Sequence, residues 1–218
     1  MMKIGLMADG ELENISVPNN KKTKFGLYLI SKTSSDVFFV SIINFKMITY
    51  QKLAKIASKF ISKSKVMKYG FNLSPMYRRT SAKVLYISED FSKIKIKLPY
   101  SYKNANYVNT IFGGSMFSAV DPFPMTQLMN LIGDDYVVWD KAAEILFRRP
   151  AKEDLYAEFT YTFEELNEIK KKAAENNEFE IVKKTKLTNK DKSIVFCEVR
   201  KTVYIANKTF FKNKRRKN

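Results

Sequence analysis

The sequence predicts an α+β domain in which an antiparallel β-sheet wraps around one long central helix, preceded by an N-terminal extension. Three observations predict it. Residues 111–132 are apolar on nearly every side, as expected of a helix that a sheet covers. Segments with the period-2 alternation of strands lie on both sides of that helix. The order of hairpin, helix and further strands favours antiparallel pairing.

Four parts follow one another along the chain. We expect an N-terminal extension at residues 1–48, an amphipathic helix and linker at 49–75, the sheet domain at 76–206 and a basic tail at 207–218. Apolar residues recur at spacings of three and four between residues 50 and 68, with lysines between them. This pattern predicts a helix that packs on the domain, with weak contact to a membrane surface as the alternative.

The sheet domain begins with two alternating segments, 83–87 and 92–98, which predict a hairpin. A loop rich in asparagine and tyrosine then leads to the central helix, which Gly133 ends. A charged helix is predicted at 163–176. The remaining predicted strands are residues 136–148, 155–162, 179–187 and 193–205.

The composition narrows the classes of partner. The chain has 218 residues, 45% of them hydrophobic, which suits one domain with a sizeable core. Its net charge of +17 favours nucleic acid, an anionic membrane or a polyanionic small ligand, although the lysines are scattered. We expect the tail to be a solvated, disordered end, with nucleic-acid or phospholipid contact as the alternative. Its basic cluster comprises Lys212, Lys214, Arg215, Arg216 and Lys217.

The rare residue types exclude several chemistries. The chain has no histidine, which excludes Ser-His-Asp and Cys-His catalysis and removes the commonest zinc ligand. Its one cysteine, Cys197, forms no disulfide within the chain, so a reducing, cytoplasmic location is expected. We predict no transmembrane segment, because the longest apolar run near the start, 37–48, is short and interrupted by polar residues.

Two glycines stand where the central helix begins. The first N–H groups of a helix are unpaired and carry partial positive charge, and Gly113 and Gly114 let a ligand approach them closely. A carbonyl oxygen that gains negative charge during a reaction would be stabilised there. The alternative is an ordinary tight turn into a helix.

One acid, Asp121, lies among the apolar residues of the same helix. It follows Gly113 by eight residues, or about 12 Å along a helix, so the two cannot act together within one chain. Two such helices placed antiparallel across a two-fold dimer would bring them together. Pro122 and Pro124 should bend the helix next to the acid. The alternative for Asp121 is a polar residue at that bend, hydrogen-bonded to nearby backbone.

From about residue 77 to residue 205 the chain resembles the hotdog-fold proteins, and specifically the PaaI-type acyl-CoA thioesterases. It is most similar to a branch with Phe-Gly-Gly in place of His-Gly-Gly and the pattern NYVxTIFGGSxxxAxDP, GDDYVVWDKAA and FxRP. The resemblance implies the hotdog fold, in which an antiparallel sheet wraps a long helix and two subunits pair. A homodimer is then the minimum assembly, with a tetramer as the larger alternative.

The resemblance also implies roles for individual residues. Gly113 would polarise a thioester carbonyl with Gly114 beside it, and Asp121 would act as the base or nucleophile. Asn106, at the family's asparagine position, would hold the start of the helix or the water. Phe112 replaces the family's histidine and cannot donate the hydrogen bond that the histidine donates.

Four further positions are candidate substrate contacts by resemblance. Asp140 takes the place of a serine or threonine on the strand after the helix. Arg148 and Arg149 correspond to positions near the coenzyme A pantetheine and phosphates, so they and Lys152 are candidate phosphate contacts. Simple solvation is the alternative for the two arginines. The neighbouring acids after Gly133 are more typical of a turn than of a metal site.

We therefore expect hydrolysis of an acyl-CoA thioester at a dimer interface, with coenzyme A as part of the substrate and no separate cofactor or metal. The alternative is a non-catalytic protein that binds acyl-CoA or a fatty acyl group, which Phe112 favours and Asp121 disfavours. Nucleic-acid binding through the tail is a third reading, disfavoured because the lysines form no stripe with exposed aromatic residues.

Overall fold

The computed structural model describes residues 27–32, 36–41, 58 and 60–217. The chain divides into two compact units, Met1–Ile48 and Thr49–Asn218. In the first unit, strands β1 (Leu27–Lys32) and β2 (Asp36–Ser41) form an antiparallel pair. All elements named below belong to the second unit.

The second unit opens with helix α1 (Lys63–Leu73) and one helical turn, α2 (Pro75–Arg78). The helix expected at 50–68 therefore differs in its bounds: Phe60 and Ile61 precede α1, and residues 50–57 lie outside the described part of the chain. The helix ends at Leu73 because Ser74 precedes a proline, which favours the extended backbone that Ser74 adopts, with ψ of 126°.

Six antiparallel strands form the sheet, in the order β3-β4-β6-β7-β8-β5. The hairpin predicted from the two alternating segments is confirmed, since β3 and β4 pair in antiparallel register. The predicted helix at 163–176 is also confirmed as α5 (Phe163–Asn176), whose first turn the Thr162 hydroxyl caps by accepting from Glu165 N–H. The strands are β3 (Lys83–Ile87), β4 (Lys93–Leu98), β5 (Tyr136–Phe147), β6 (Leu155–Thr160), β7 (Glu178–Thr188) and β8 (Val195–Asn207).

The central helix is broken next to the acid. Helix α3 (Gly113–Val120) ends at Asp121, and helix α4 (Phe123–Ile132) begins after Pro122. The helix is thus interrupted for two residues where a bend was predicted, because the two prolines of this segment lack the N–H groups that would continue the hydrogen-bond ladder. The break leaves Asp121 half-buried between two helices.

The core consists of two hydrophobic clusters along the central helices. The first includes Phe123 at the start of α4 and Val199 on β8, and the second includes Leu128 further along α4 and Val203 on β8. Lys201, which is 2% exposed, lies between the two valines on the inward face of β8. Polar side chains therefore lie at the level where the two clusters meet.

The basic tail corrects an expectation. Residues expected to be a disordered end form helix α6 (Lys208–Lys217). The ring of Phe211 packs edge-on against Trp139, with ring centroids 5.1 Å apart, and Lys214 forms an ion pair with Glu178 at 2.6 Å. These contacts with the sheet give the helix the tertiary support that a short charged segment lacks by itself. Among the described residues, no helix is both long enough and apolar enough to cross a membrane.

Candidate active site

Asn106 organises the loop that leads into α3. Its Oδ1 atom accepts from the N–H groups of Val108 at 3.1 Å and Thr110 at 3.0 Å, and its Nδ2 donates to Thr110 Oγ1 at 2.8 Å. Three of the four hydrogen bonds that an asparagine side chain can make are thus used within the loop. This geometry suits the expected role of holding the start of the helix better than that of holding water.

Gly113 and Gly114 are the first two residues of α3. The preceding amides are engaged, since Phe112 N–H donates to Asn104 O at 2.8 Å. The two glycine N–H groups, by contrast, have no acceptor within the part of the chain that the structure describes. They are the unpaired donors that a helix start provides for an anion or a polarised carbonyl.

Aromatic rings lie beside both glycines. A Cβ atom on Gly113 would stand 2.6 Å from Cζ of Phe147, and a Cβ atom on Gly114 would collide with the ring of Phe112. Both rings are more than half exposed, at 57% for Phe112 and 56% for Phe147. Two aromatic rings therefore surround the glycine N–H groups, and a side chain on either glycine would collide with one of them. The Phe112 side chain makes no hydrogen bond at the start of the helix.

Asp121 is held by a buried lysine. Lys201 Nζ contacts Asp121 Oδ1, lies 3.2 Å from the Asp121 carbonyl oxygen and lies 2.7 Å from Oδ2 of Asp140. The side chain of Asp121 is 43% exposed, whereas that of Lys201 is almost completely enclosed. One ammonium group thus orients two carboxylates that come from the helix break and from β5.

Asp140 is the electrostatically perturbed member of this group. The pKa of its carboxyl group is raised, mainly because the group is buried. The Lys201 ammonium opposes this increase, and the negative charge of Asp121 adds to it. Its Oδ1 atom is buried and has no hydrogen-bond partner among the described residues. One oxygen of the Asp140 carboxyl group thus binds Lys201, and the other is buried without a described partner.

The structure brings some of the predicted site residues together and keeps others apart. Asp121 and Asp140 meet through Lys201. Gly113 and Asp121 lie at opposite ends of α3, about 12 Å apart by helical rise, as the sequence predicts. Within one subunit the acid therefore does not reach the glycine amides.

Three basic side chains follow β5. Arg148, Arg149 and Lys152 are exposed, and within the described residues none has a carboxylate partner at ion-pair distance. The backbone N–H groups of the two arginines donate to Phe196 O at 2.8 and 3.2 Å, which fixes the chain that carries them. These cations are therefore available to an external anion.

Lys201 was not predicted from the sequence, although a signal exists. It stands in the strand segment where Val199, Val203 and Ile205 occupy the inward positions, so strict alternation directs its side chain into the core. A lysine in an apolar register requires a buried acidic partner. Asp121 and Asp140, both only partly buried, supply the acidic partners of Lys201.

Residues 64–205, more than half of the chain, match the family described as a domain of unknown function, DUF4442. Comparison with curated protein sequences finds no match. A protein of unknown function from Pseudomonas aeruginosa, described as a probable thioesterase, has a similar structure. Its TM-score is 0.58 at 18% identity, over 66% of this chain and 95% of that chain.

A second solved structure, a protein of unknown function from Chlorobaculum tepidum, has a TM-score of 0.52 at 13% identity. The match covers 73% of this chain and 98% of that one. Likeness at this level of identity establishes the fold, and the match over residues 64–205 establishes the family. The chain belongs to the DUF4442 family, and its sheet and broken central helix form the thioesterase-like hotdog fold that the sequence resemblance predicts.

Proposed function

We propose that this protein hydrolyses acyl-CoA thioesters at two equivalent sites of a homodimer. In each site, Gly113 and Gly114 of one subunit bind the thioester carbonyl, and Asp121 of the partner subunit activates water. The observation that carries the proposal is the structure of α3: at its start are two glycine amides without an acceptor in the described part of the chain, and at its end is a half-exposed carboxylate.

The reaction uses these groups in two steps. As the oxygen of a water molecule bonds to the carbonyl carbon, Asp121 accepts a proton from that water, and the negative charge on the carbonyl oxygen is stabilised by the two glycine N–H groups. The C–S bond then breaks, the carbonyl re-forms as a carboxylic acid, and the departing thiolate takes the proton from Asp121.

Lys201 supports Asp121 in this role by orientation. It contacts Oδ1, while Oδ2 has no partner among the described residues and belongs to a partly exposed side chain. A carboxylate fixed through one oxygen presents the other in a defined direction. Asp140 stabilises this arrangement from the opposite side of the ammonium group.

The edge of the sheet supports a dimer. Among the described residues β5 pairs only with β8, so its other edge has no strand partner there, and four successive residues, Lys141 to Glu144, are exposed. An unpaired edge of 12 residues is a template for a second strand, and a two-fold axis beside β5 would pair it with its own copy. The proposed dimer uses such an axis, with the two α3 helices antiparallel across it, so that each site takes glycines from one subunit and the acid from the other.

The charge of the chain suits the coenzyme A part of the substrate. Arg148, Arg149 and Lys152 are exposed cations beyond the end of β5, whose last residue, Phe147, lies against Gly113. In the proposed complex the coenzyme A part of the ester runs from the glycines over this basic surface, where the cations can pair with its phosphates.

The test is a panel of acyl-CoA esters of graded chain length, assayed for release of free thiol. We expect turnover with at least one ester, and Asp121→Asn should lower kcat by about 10²- to 10⁴-fold while the ester still binds. The matched control is Asp154→Asn, which changes an acid outside the site. The proposal is wrong if no ester is turned over or if Asp121→Asn leaves turnover intact.

The alternative is a binder of acyl-CoA that does not catalyse hydrolysis. Phe112 at the position of the family's histidine favours it, because its ring supplies no donor. In that case acyl-CoA binds with no release of thiol, and Asp121→Asn changes neither result.

A further inference from the structure

Two buried side-chain oxygen atoms in the described residues have no hydrogen-bond partner: Oε1 of Gln127 and Oδ1 of Asp140. Gln127 is fully buried on α4, and its Nε2 donates to Phe91 O at 2.8 Å and Phe159 O at 3.4 Å. Because these donor contacts settle which end of the amide is which, the orphaned Oε1 is an acceptor. Both sites therefore call for a hydrogen-bond donor.

The sheet is open beside Gln127. Strands β6 and β7 are adjacent, yet they pair at one position only, Tyr156 with Thr188. Beyond that pair, a cavity of about 70 Å³ lies between the strands, and Gln127 and Thr185 contribute to its lining. The exposed Lys184 lines it too, so the cavity opens towards the outer surface.

A polar layer crosses the core at this level, made up of Gln127, Asp140, Lys183, Thr185 and Lys201. Lys183 on β7 and Lys201 on β8 are directly opposite each other in the antiparallel register, so both side chains leave the sheet on the same face. They diverge to different acids. Lys183 binds Glu165 at 2.8 Å, and Lys201 binds Asp121 and Asp140.

Tyr161 lies in the wall of the cavity. Its ring lies 3.9 Å from Lys183 Nζ, its hydroxyl donates to Pro124 O at 3.0 Å, and its side chain lines the cavity. Burial is the main cause that raises the pKa of Tyr161, and the Glu165 and Asp140 carboxylates contribute. The geometric link from the cavity to Asp140 is Lys183, which lines the cavity and is the register partner of Lys201, the residue that binds Asp140.

Water is the donor that fits this layer. A water molecule occupies about 30 Å³ in the liquid, so the cavity has room for about two, and its lining offers both acceptors and cationic donors. A larger ligand would not fit, and an apolar one would leave both oxygens and both lysines unsolvated. Ordered water also lowers the cost of two neighbouring ammonium groups inside the domain.

We propose that the polar layer is a water channel, which admits water between β6 and β7 and conducts it past Gln127 and Asp140 to Asp121. Its use in catalysis rests on the proposed function: the thioester approaches Asp121 from the dimer side, and the water that the acid activates arrives from the sheet side. Gln127, Lys183 and Thr185 are positioning residues in this scheme, since they act on water and not on the thioester.

The first test does not depend on activity. A crystal structure of the full chain at a resolution that shows ordered water should place one water molecule within about 3.2 Å of Gln127 Oε1 and one within about 3.2 Å of Asp140 Oδ1. Density for water at both oxygens supports the channel even if no thioester is turned over. The channel is disproved if either oxygen is paired by a protein donor or faces dry, apolar side chains.

The second test fills the channel. Thr185→Ile adds apolar volume to the cavity, and Thr202→Ile makes the same change on the outer face of β8. We expect Thr185→Ile to displace water from Gln127 in the crystal and to lower kcat by about tenfold with KM unchanged, while Thr202→Ile matches the wild type. Equal thermal unfolding of the two variants shows that folding is not the cause. Wild-type kcat in a Thr185→Ile protein whose channel is dry would rule out the catalytic use of the channel.

Discussion

The side-chain nitrogen of Lys201 lies 2.7 Å from a carboxylate oxygen of Asp140. The same nitrogen also binds Asp121, so a single buried cation joins the break in the central helix to the edge strand of the sheet. Two acids that are 19 positions apart in the chain thereby become one electrostatic unit. This unit has consequences for stability, for pH dependence and for catalysis.

Lys201→Met should destabilise the domain by about 3 kcal/mol at pH 7. Methionine fills a similar volume but leaves two partly buried carboxylates without a cation, and breaking a buried ion pair in this way costs about 3–5 kcal/mol. The lower end applies because Asp121 is partly exposed. Urea unfolding measures the change, with the exposed Lys184→Met as the control that should stay within about 0.5 kcal/mol of the wild type.

The defect of Lys201→Met should shrink in acid. The pKa of Asp140 is raised in the folded protein, chiefly by burial, so the folded state binds this proton more tightly than the unfolded state does. The resulting stabilisation is complete below the unfolded pKa of about 3.9 and is lost as the pH rises through the folded value. Without the Lys201 ammonium, which lowers the pKa of Asp140, this dependence of stability on pH becomes stronger. Equal losses of stability at pH 7 and at pH 4.5 would contradict it.

Mixed dimers test whether each site takes residues from both subunits. Asp121→Asn and Gly113→Val should each lower hydrolysis by at least about 10²-fold, but a hybrid of the two keeps one site with intact glycines and an intact acid. Random association makes half of the dimers hybrid, so co-expression should restore about a quarter of the wild-type activity. Co-expressed Asp121→Asn and Asp121→Ala are the control and should restore none. Sites built within one subunit predict no recovery in either mixture.

Phe112→His should raise thioester turnover. A histidine at this exposed position beside Gly114 can donate the hydrogen bond that phenylalanine lacks, and we expect kcat to rise by about tenfold. Phe112→Leu is the control, since it removes the ring without adding a donor. A histidine variant that releases no more thiol than the leucine variant would show that the missing donor does not limit the reaction.

Arg148→Ala combined with Arg149→Ala should weaken recognition of the coenzyme A phosphates. The KM for an acyl-CoA ester should rise by about tenfold, with kcat little changed, because charge-assisted contacts to phosphate are lost. The same acyl group on N-acetylcysteamine has no phosphates, so its KM should not respond. A rise for both substrates would mean that the arginines shape the pocket and do not bind phosphate.

Much of the fold could be predicted from local patterns. The alternation of residues 92–98 fixed the inward face of one strand, and the almost uniformly apolar segment at 111–132 identified the helix that the sheet covers. Pro122 marked the break because a residue without an N–H group cannot continue the ladder. These features depend on residues that are close together in the sequence, so they can be recognised from the sequence alone.

The interactions across the core could not be predicted in the same way. The partners of Lys201 lie 80 and 61 residues away, and only the sheet register places them on the same face. The helical form of the tail has a similar origin, because it depends on Phe211 meeting Trp139 on a distant strand. Gly113 and Gly114 were identified from their place at a helix start and Asn106 by resemblance, and the roles of all three stay predictions until turnover is measured.

The position of Trp139 offers a built-in optical probe. It is the one tryptophan of the chain, stacked on Tyr204 with ring centroids 4.6 Å apart and covered at its edge by Phe211. Its emission therefore reports a single place, where the C-terminal helix docks beside the strand expected to join two subunits. Undocking of that helix and separation of the subunits can thus be followed by intrinsic fluorescence, without attaching a label.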